Sequence, residues 1–537
     1  MSWNIGDIFT GVGAAIAERP ALIHCSGGRD RTVSWGELDR RSNALARSWL
    51  AAGAVAGDKV AIYSYNRPEW LEALVAALKA RLVPVNVNYR YRDDELLYLL
   101  DNSDAAVVVF ESEFAENMAR LAPRLPKLKC LHQLDGVSVD GARLYEAAAN
   151  GDAAALDIER SPDDLLLLYT GGTTGMPKGV MWRQEDLFRT LGAGGDPLTG
   201  QGRPGDIGEH LANVTAGAQR QTLLPACPLM HGTGLFTAIN ALLNGGTVVT
   251  LASHKLDAHA LWSAVERHGV NAIAIVGDVF ARPMVAALRE KKYALDTLRL
   301  IVSSGVMWSL EVKRELLEFH PYMVLFDSLG SSEATGLGAS IMTAGMEAQT
   351  ASFKVGERVK VFTDDGREVV AGSGERGLVA RTGPIPVGYY KDPVKTEATF
   401  RTIDGVRWSM PGDFATVEAD GTLRLLGRGS VCINTGGEKV FPEEVEEVLK
   451  RHGDVEDAAV VGLPDEKWGQ AIVALVVMRP GRSADEAALR EHVRGLLAGY
   501  KVPKRIFAVE SLGRSPSGKM DYKGVTTRAL ELSRSQM

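Results

Sequence analysis

Short apolar runs alternate with amphipathic segments over most of the chain. The apolar runs are typical of buried strands. We predict strands at 60–66, 83–88, 105–110, 164–170, 247–251, 272–276 and 300–304. The segments between them have helical spacing, and we predict helices at 69–81, 257–268, 279–290 and 310–320. Strands that alternate with helices favour an α/β fold with layers and largely parallel strands.

The pattern changes near residue 428, where a shorter succession of elements begins. The segment 441–452 predicts a helix, with Pro442 and acidic residues in its first turn, where both are favourable. Two apolar strands and a helix at 485–497 follow. We therefore predict a large N-terminal domain over 1–427 and a small α+β domain over 428–537.

Composition and charge exclude several classes of protein. The 537 residues are 45% hydrophobic and 24% charged, which is typical of a folded globular protein. The net charge is -7, and no basic face or tail favours nucleic-acid binding. The cysteines lie too far apart for a zinc ribbon or a disulfide framework. No apolar run reaches membrane-spanning length and no signal peptide is evident, so we expect a cytoplasmic protein. Peripheral membrane contact and homo-oligomer formation stay open.

The segment 192–208 is rich in glycine and proline and has no periodicity, so we predict a mobile surface loop. It contains a literal GxGxxG at Gly200, Gly202 and Gly205. No strand precedes these glycines and Pro204 lies among them, which argues against a dinucleotide-binding turn.

The segment YTGGTTGMPKG at 169–179 carries the strongest chemical signal. Its glycines let backbone N–H groups turn towards an anion, its threonines add hydroxyl groups, and Lys178 adds a charge. This combination suits a polyphosphate, although it lacks the ending of a Walker A loop. A glycine-rich turn without a ligand is the alternative.

This segment resembles the signature of the adenylate-forming enzymes, which include acyl-CoA synthetases, firefly luciferase and peptide-synthetase adenylation domains. Other segments resemble family motifs in the same order, and the resemblance extends from about residue 32 to 521. These segments are LMHGTG (229–234), LGSSE (329–333), WSMPGD (408–413), GR (427–428) with GGEKVFPEEVE (436–446), and SPSGK (515–519). The resemblance implies a large N-terminal domain and a small mobile C-terminal domain. LGRGSVCINTGGEKVFPEEVE, DSLGSSE and PVGYYKD are similar to bacterial synthetases that include steroid side-chain CoA ligases.

The resemblance implies a two-step reaction. A carboxylate attacks the α-phosphorus of ATP and expels pyrophosphate, and the thiol of coenzyme A then attacks the acyl adenylate and expels AMP. Lys519, His231 and Glu333 are the predicted catalytic residues, with Glu333 as the ligand of Mg²⁺. Ser430 is the predicted hinge between the domains.

The resemblance also assigns binding residues. The predicted ATP-binding residues are Thr170, Gly171, Gly172, Thr173, Thr174, Gly175, Lys178, Asp327, Ser328, Leu329, Ser332, Asp413 and Arg428. The predicted acyl-pocket residues are His231, Gly232, Gly234, Gly277, Ser304, Gly305, Val306 and Gly330. Coenzyme A is expected at Gly436, Gly437 and Glu438.

The chain departs from the family pattern at several of these positions. Leu329 replaces the usual aromatic residue, and Ser430 stands where the hinge residue is usually aspartate or lysine. The strip 304–307 reads SGVM in place of the common GGAP. None of these changes removes a predicted catalytic group.

The strip 232–243 that follows His231 is apolar and has no cation to pair with a second carboxylate. A hydrophobic monocarboxylic acid, first of all a fatty acid, is therefore the predicted substrate. A steroid side-chain, bile-type or aryl-alkanoic acid is the alternative. Loading of a carrier-protein thiol, a luciferase-like oxygenase and a non-catalytic sensor are further readings. A sensor is expected to lose Lys519, Glu333 or the phosphate loop, and all three are present.

Overall fold

The structure is a computed structural model. It describes residues 2–91, 93–170, 176–195, 202–306, 308–346, 352–431, 433–435, 438–465, 469–497, 499–515 and 520–535. The chain forms two compact units. Unit 1 comprises residues 1–348 and 382–409, and unit 2 comprises residues 349–381 and 410–537.

Elements are numbered along the whole chain. The strands of unit 1 are β1 (Pro20–Cys25), β2 (Arg31–Ser34), β3 (Lys59–Tyr63), β4 (Val83–Asn86), β5 (Ala105–Phe110), β6 (Cys130–Gln133), β7 (Arg143–Leu144), β8 (Leu165–Thr170), β9 (Lys178–Arg183), β10 (Thr222–Pro225), β11 (Thr247–Leu251), β12 (Ala272–Ile275), β13 (Leu300–Ser304), β14 (Val324–Leu329), β15 (Gly338–Met342), β19 (Gly388–Tyr389), β20 (Phe400–Ile403) and β21 (Val406–Ser409).

The helices of unit 1 are α1 (Ile5–Ala15), α2 (Trp35–Ala51), α3 (Pro68–Lys79), α4 (Asp93–Asn102), α5 (Ala115–Leu121), α6 (Tyr145–Ala149), α7 (Gln184–Thr190), α8 (Ile207–Ala216), α9 (Gly232–Leu243), α10 (Ala258–His268), α11 (Asp278–Glu290), α12 (Leu310–Phe319) and α13 (Pro393–Thr399). None of the helices in the described ranges is long and apolar enough to cross a membrane.

Two sheets organise unit 1. One has the strand order β15-β14-β13-β12-β10-β11-β1-β2, and the other has the order β19-β9-β8-β4-β3-β5-β6-β7. Their central strands are parallel, and the antiparallel pairings lie towards the edges. Every residue of β5 is buried, as expected for a strand that is covered on both faces. A hairpin of β20 and β21 completes this unit.

Unit 2 contains two smaller sheets. Its strands are β16 (Ser352–Phe353), β17 (Val359–Phe362), β18 (Arg376–Arg381), β22 (Asp413–Val417), β23 (Leu423–Arg428), β24 (Ile433–Thr435), β25 (Glu438–Val440), β26 (Val455–Asp465), β27 (Gly469–Met478) and β28 (Arg505–Ala508). Its helices are α14 (Pro442–Lys450), α15 (Glu486–Leu496) and α16 (Tyr522–Ser535). One sheet follows the order β16-β23-β22-β18, and the other follows β25-β24-β27-β26, with β28 beside β27. Neighbouring residues of β26, Val460 and Val461, pack in two different apolar clusters, so both faces of this sheet are covered.

The predicted elements are confirmed, with ends that differ by a few residues. The apolar runs became β3, β4, β5, β8, β11, β12 and β13, and the amphipathic segments became α3, α10, α11 and α12. The domain boundary at 427/428 is not decided by the two compact units, because unit 2 contains residues on both sides of it. That boundary stays a prediction.

Three cysteines of the described chain, Cys25, Cys130 and Cys227, are free and buried. Burial raises the pKa of the Cys25 thiol to about 11 and that of Cys227 to about 12. Burial also raises the pKa of Cys130. Cys432 lies outside the described residues.

A buried ion pair joins α2 to α3. Arg41 is 2% exposed and Glu72 is fully buried, and the guanidinium donates to both carboxylate oxygens at 2.9 Å. Arg41 also donates to Glu146, which lies near the surface. A buried carboxylate without its partner is costly, so this pair is a stability constraint on unit 1.

We predict that Arg41→Ala lowers the free energy of unfolding by about 3 kcal/mol, the low end of the cost of breaking a buried ion pair, because the buried Glu72 is then left with its longer contact to Arg31, at 3.7 Å, as its ion pair. The matched control is Arg47→Ala, which removes a pair with Asp152 whose side chains are 40% and 62% exposed. The control should cost about 0–1 kcal/mol. Urea unfolding followed by circular dichroism measures both, and equal losses would contradict this role for Arg41.

Candidate active site

The carboxyl ends of β12, β13 and β14 gather most of the predicted acyl-pocket residues. Gly277 follows β12 and donates its N–H to Ser303 Oγ at 2.9 Å. Ser304 ends β13 beside Ser328 of β14, and Ser304 Oγ donates to the Ser328 carbonyl at 2.8 Å. Ligands of open parallel sheets bind at this edge, so these residues lie where a substrate site is expected. Gly305, Val306 and Gly330 follow the same strand ends.

The first residues of α9 lie beside the carboxyl end of β13. Thr233 Oγ1 donates to the Ser304 carbonyl at 3.4 Å. A Cβ on Gly232 would lie 3.3 Å from Leu168 and 4.0 Å from Ser332 Oγ. A Cβ on Gly234 would lie only 2.5 Å from the Pro228 carbonyl oxygen, so this turn requires glycine. His231 is half-buried and immediately precedes the helix. The structure therefore brings predicted acyl-pocket residues together with Ser332, a predicted nucleotide residue.

The predicted phosphate loop joins two antiparallel strands. Thr170 ends β8, Lys178 begins β9, and the two residues are register partners. Gly171, Gly172, Thr173, Thr174 and Gly175 lie outside the described residues. The two strands agree with the predicted order of elements, and the roles of these five residues stay predictions.

Tyr389 connects this lysine to the predicted metal ligand. The Lys178 ammonium lies 5.7 Å from the centre of the Tyr389 ring. The Tyr389 hydroxyl donates to Glu333 Oε1 at 2.7 Å, and Ser409 Oγ donates to the Glu333 carbonyl at 2.7 Å. Trp182 Nε1 donates to the Ser332 carbonyl at 3.0 Å, so the segment before Glu333 is also held. Sequence reasoning noted the segment PVGYYKD but did not assign Tyr389 to the site.

These residues fit a polyphosphate with Mg²⁺. Magnesium prefers carboxylate and phosphate oxygens, and Glu333 offers a half-buried carboxylate with lone pairs beyond the one that Tyr389 engages. Lys178 supplies a cation beside the ring of the same tyrosine. Glu333 would therefore be a ligand of the ion, and this role stays a prediction.

Asn86 is a second residue that sequence reasoning missed. Its side chain is 4% exposed and accepts the Tyr169 N–H at 2.6 Å. Its amide nitrogen donates to the Tyr169 carbonyl at 2.9 Å and to the Met230 carbonyl at 2.6 Å. One side chain therefore joins the residue before Thr170 to the residue before His231. The signal available in the sequence was an asparagine within an otherwise apolar strand.

Asp327 and Leu329, two residues of β14 that were predicted to bind the nucleotide, are both buried. Asp327 is buried and its carboxylate bonds Lys313 Nζ of α12 at 2.9 Å. Burial raises the pKa of Asp327, and the charge of Lys313 opposes that rise. Leu329 is buried at the end of the strand. Both assignments stay predictions.

Unit 2 holds the two predicted ribose contacts side by side. Asp413 begins β22, Arg428 ends β23, and they are register partners. The Asp413 side chain is 6% exposed. Ser430, the predicted hinge, lies in a short 3-10 turn over Gly429–Val431. Its role as a pivot is not tested by this geometry.

The predicted coenzyme A and lysine segments lie mostly beyond what the structure describes. Gly436, Gly437 and Lys519 fall outside the described residues, and Glu438 is described only as the first residue of β25. The residues that flank Lys519 are anchored. Arg514 Nε donates to Asp457 at 2.6 Å, and the Tyr522 hydroxyl donates to Glu446 at 3.1 Å.

Comparison with known proteins identifies the family. Residues 12–390 match the model described as AMP-binding enzyme, and residues 444–519 match the model described as AMP-binding enzyme C-terminal domain. The chain belongs to the AMP-binding enzyme family.

Individual relatives of this family member are similar over nearly their whole length. It is 42% identical to the 3-oxocholest-4-en-26-oate–CoA ligase of Rhodococcus rhodochrous, over 97% of this chain and 95% of that protein. Identity is also 42%, with the same coverage, to the medium/long-chain-fatty-acid–CoA/3-oxocholest-4-en-26-oate–CoA ligase of Mycobacterium marinum. The solved structure of the anthranilate CoA ligase AuaEII with anthranoyl-AMP has a TM-score of 0.83 at 21% identity, over 99% of this chain and 98% of that one.

These findings confirm the predicted family, the α/β fold with a smaller C-terminal domain, and the reaction class. This AMP-binding enzyme is an ATP-dependent acid–thiol ligase that forms an acyl-CoA. Such ligases use ATP, Mg²⁺ and coenzyme A, together with a small-molecule carboxylic acid.

Tyr389→Phe should raise the Mg²⁺ concentration that gives half-maximal adenylation several-fold, because Glu333 loses the hydroxyl that orients it. The matched control is Tyr390→Phe, which removes an equally short bond of 2.7 Å to a different carboxylate, that of Asp104. Pyrophosphate release measured against Mg²⁺ concentration compares the two. An identical Mg²⁺ dependence in both variants would exclude Tyr389 as the residue that positions Glu333.

Proposed function

We propose that the enzyme activates a hydrophobic monocarboxylic acid, first of all a medium- or long-chain fatty acid, to its coenzyme A thioester. The observation that carries this proposal is the composition of α9, which starts at the predicted acyl site and contains no charged residue. A second carboxylate beside this helix would have no cation, and an unpaired buried charge is costly. A cytoplasmic location, where ATP and coenzyme A are available, is part of the proposal.

A steroid side-chain acid is the second candidate. The relatives that support it are the two ligases at 42% identity, whose names include 3-oxocholest-4-en-26-oate. Such an acid shares the features that α9 favours, since its carboxylate lies at one end of a long apolar body. The two candidate acids therefore require pockets of different shape in the part that is distant from the carboxylate.

For the first half-reaction we assign separate roles to the residues of unit 1. Lys178 places its charge near the phosphates, and Tyr389 orients the Glu333 carboxylate that would hold Mg²⁺. The bound ion neutralises charge on the phosphate oxygens. His231, at the start of α9, borders the carboxylate of the acid. Positioning and charge neutralisation are the main contributions to phosphoryl chemistry of this kind.

For the remaining roles we keep the assignments that the family resemblance implies. Lys519 stabilises the transition state at the α-phosphate, and Asp413 and Arg428 contact the ribose. Gly436, Gly437 and Glu438 contact coenzyme A. Ser430 is the pivot of a domain over 428–537, because adenylation and thioester formation on one adenylate need different groups near it. The anchored residues Arg514 and Tyr522 support a fixed base for the segment that carries Lys519.

A substrate pair tests the proposed specificity. Hexadecanoate should release pyrophosphate and form a thioester, whereas the dicarboxylate of equal length should have a kcat/KM lower by at least about a hundredfold, the cost of a second buried charge. Steroid acids in the same screen separate the two candidates. Equal turnover of the mono- and dicarboxylate would contradict the proposal.

Lys519→Ala should slow acyl-adenylate formation by about 10²–10³-fold, the effect of losing one oriented transition-state donor. Given the acyl adenylate and coenzyme A, the same variant should form thioester at nearly the wild-type rate. Lys523→Ala, an exposed lysine of α16, is the matched control and should change neither step. Equal losses in both half-reactions would remove Lys519 from its assigned role.

A further inference from the structure

Three side chains with different chemistry form a cluster that the reaction does not use. They are Cys25 at the end of β1, Asp30 just before β2, and His268, the last residue of α10. One ligand atom from each, the Cys25 sulfur, an Asp30 carboxylate oxygen and a His268 ring nitrogen, lies within 4.8 Å of the other two. Within the part of the chain that the structure describes, this is the one group of three such side chains that could hold a metal ion.

The fold brings these residues together from distant parts of the sequence. His268 follows Asp30 by 238 residues, yet its Nε2 lies 2.7 Å from Asp30 Oδ2. Cys25 is 6% exposed, and the side chains of Asp30 and His268 are 14% and 18% exposed. The adjoining residues 26–29 are exposed. The cluster is therefore largely shielded from water but lies next to the surface, where an ion from solution can reach it.

The Asp30 carboxylate has one oxygen that is not used. Its Oδ2 contacts His268 and also lies 3.2 Å from the guanidinium of Arg267. Within the described residues, Oδ1 is buried and has no hydrogen-bond partner of normal geometry. Leaving a buried acceptor unpaired costs free energy of folding, and such an atom in a native structure calls for an explanation. A cation bound at Oδ1 supplies the missing partner.

The chemistry of the three side chains selects the ion. A thiolate, an imidazole and a carboxylate are the protein ligands of Zn²⁺, which also occurs with three protein ligands and a water molecule in the fourth position. Mg²⁺ prefers oxygen ligands alone. Ligand atoms of a tetrahedral zinc site lie about 3.3–3.6 Å apart, so displacements of about 1 Å or less gather these three around one ion.

The charges in the cluster are also compatible with a bound Zn²⁺. Without an ion the Cys25 thiol keeps its proton, because burial raises its pKa to about 11. Zinc binds the thiolate, so this proton passes to the solvent when the ion enters. A divalent ion with one thiolate and one carboxylate then carries no net charge, and the Arg267 cation is not repelled. Arg267 can stay on Oδ2 as an outer partner that orients the carboxylate.

We propose that Cys25, Asp30 and His268 bind one Zn²⁺ ion, which joins the connection between β1 and β2 to the end of α10. Asp30 binds through Oδ1, and His268 binds through Nε2 with its proton on Nδ1. The site shares no residue with those assigned to ATP, Mg²⁺, the acid or coenzyme A, so it does not depend on the proposed function. The ion stabilises the folded chain, because a ligand that binds only the folded state raises its stability.

The test uses Co²⁺ and Zn²⁺ on the full chain after treatment with a chelator. Co²⁺ bound to a thiolate has a charge-transfer absorption band in the near ultraviolet, which nitrogen and oxygen ligands do not produce. We expect this band in the wild type, its loss when Zn²⁺ is added, and its persistence in excess Mg²⁺. Calorimetric titration should give one Zn²⁺ per chain, and Zn²⁺ should raise the Tm of the wild type.

Each ligand has a conservative variant. Cys25→Ser should abolish the cobalt band. Asp30→Asn and His268→Gln should each weaken Zn²⁺ binding by at least about a hundredfold, since even an outer partner of a ligand is worth about 10- to 100-fold. Circular dichroism of each variant shows whether it is folded.

Cys130→Ser is the matched control. Cys130 is also buried, and its sulfur lies 3.1 Å from Nε2 of the buried His132. No third ligand completes a group at this pair among the residues that the structure describes. This variant should therefore keep the cobalt band and the Zn²⁺ affinity of the wild type.

A wild type without the cobalt band overturns the inference, and this measurement needs no variant to fold. A band that persists in Cys25→Ser also overturns it, as does a Zn²⁺ affinity that is unchanged in Asp30→Asn and His268→Gln. In those cases the cluster is an ion pair that fastens α10 without a metal. Failure of the proposed function is a separate result, because it would appear as a lack of pyrophosphate release from hexadecanoate and would leave the metal titrations unchanged.

Discussion

The buried amide of Asn86 is the constraint on which the arrangement of unit 1 depends. Both ends of this side chain are bonded to main-chain groups, two on Tyr169 and one on Met230. Removing one partner of such a buried amide costs free energy of folding, because the group that is left has a hydrogen bond neither to protein nor to water. The end of β8 and the turn before α9 are consequently held at one distance from each other.

The hydrogen bonds of Asn86 also determine where neighbouring functional segments begin. The phosphate segment leaves β8 one residue after Tyr169, and His231 follows Met230 directly. Glu333 is then brought to the same region by Tyr389 and Ser409, which come from a later part of unit 1. Hydrogen bonds from uncharged side chains therefore position the groups. We assign contact with the phosphates and the metal ion to the charged residues Lys178 and Glu333.

The strands and helices could be predicted from the sequence because burial fixes where apolar residues occur, as a continuous run in β5 and at helical spacing in α12. The family motifs predicted His231, Ser304 and Ser332 together, and the structure places them near one another. Asn86 and Tyr389 could not be predicted in the same way. Their partners lie 83 and 56 residues away in the chain, and such pairings depend on the completed sheets.

The buried cysteines have a practical consequence for following the reaction. Thiol reagents attack the thiolate, and burial raises the pKa of Cys25, Cys130 and Cys227 so that little thiolate forms at neutral pH. The thiol of coenzyme A is small, mobile and fully solvated. A chromogenic disulfide added to samples withdrawn from the reaction will therefore titrate the remaining coenzyme A much faster than these three side chains, and its colour measures how much coenzyme A has been consumed at each time point.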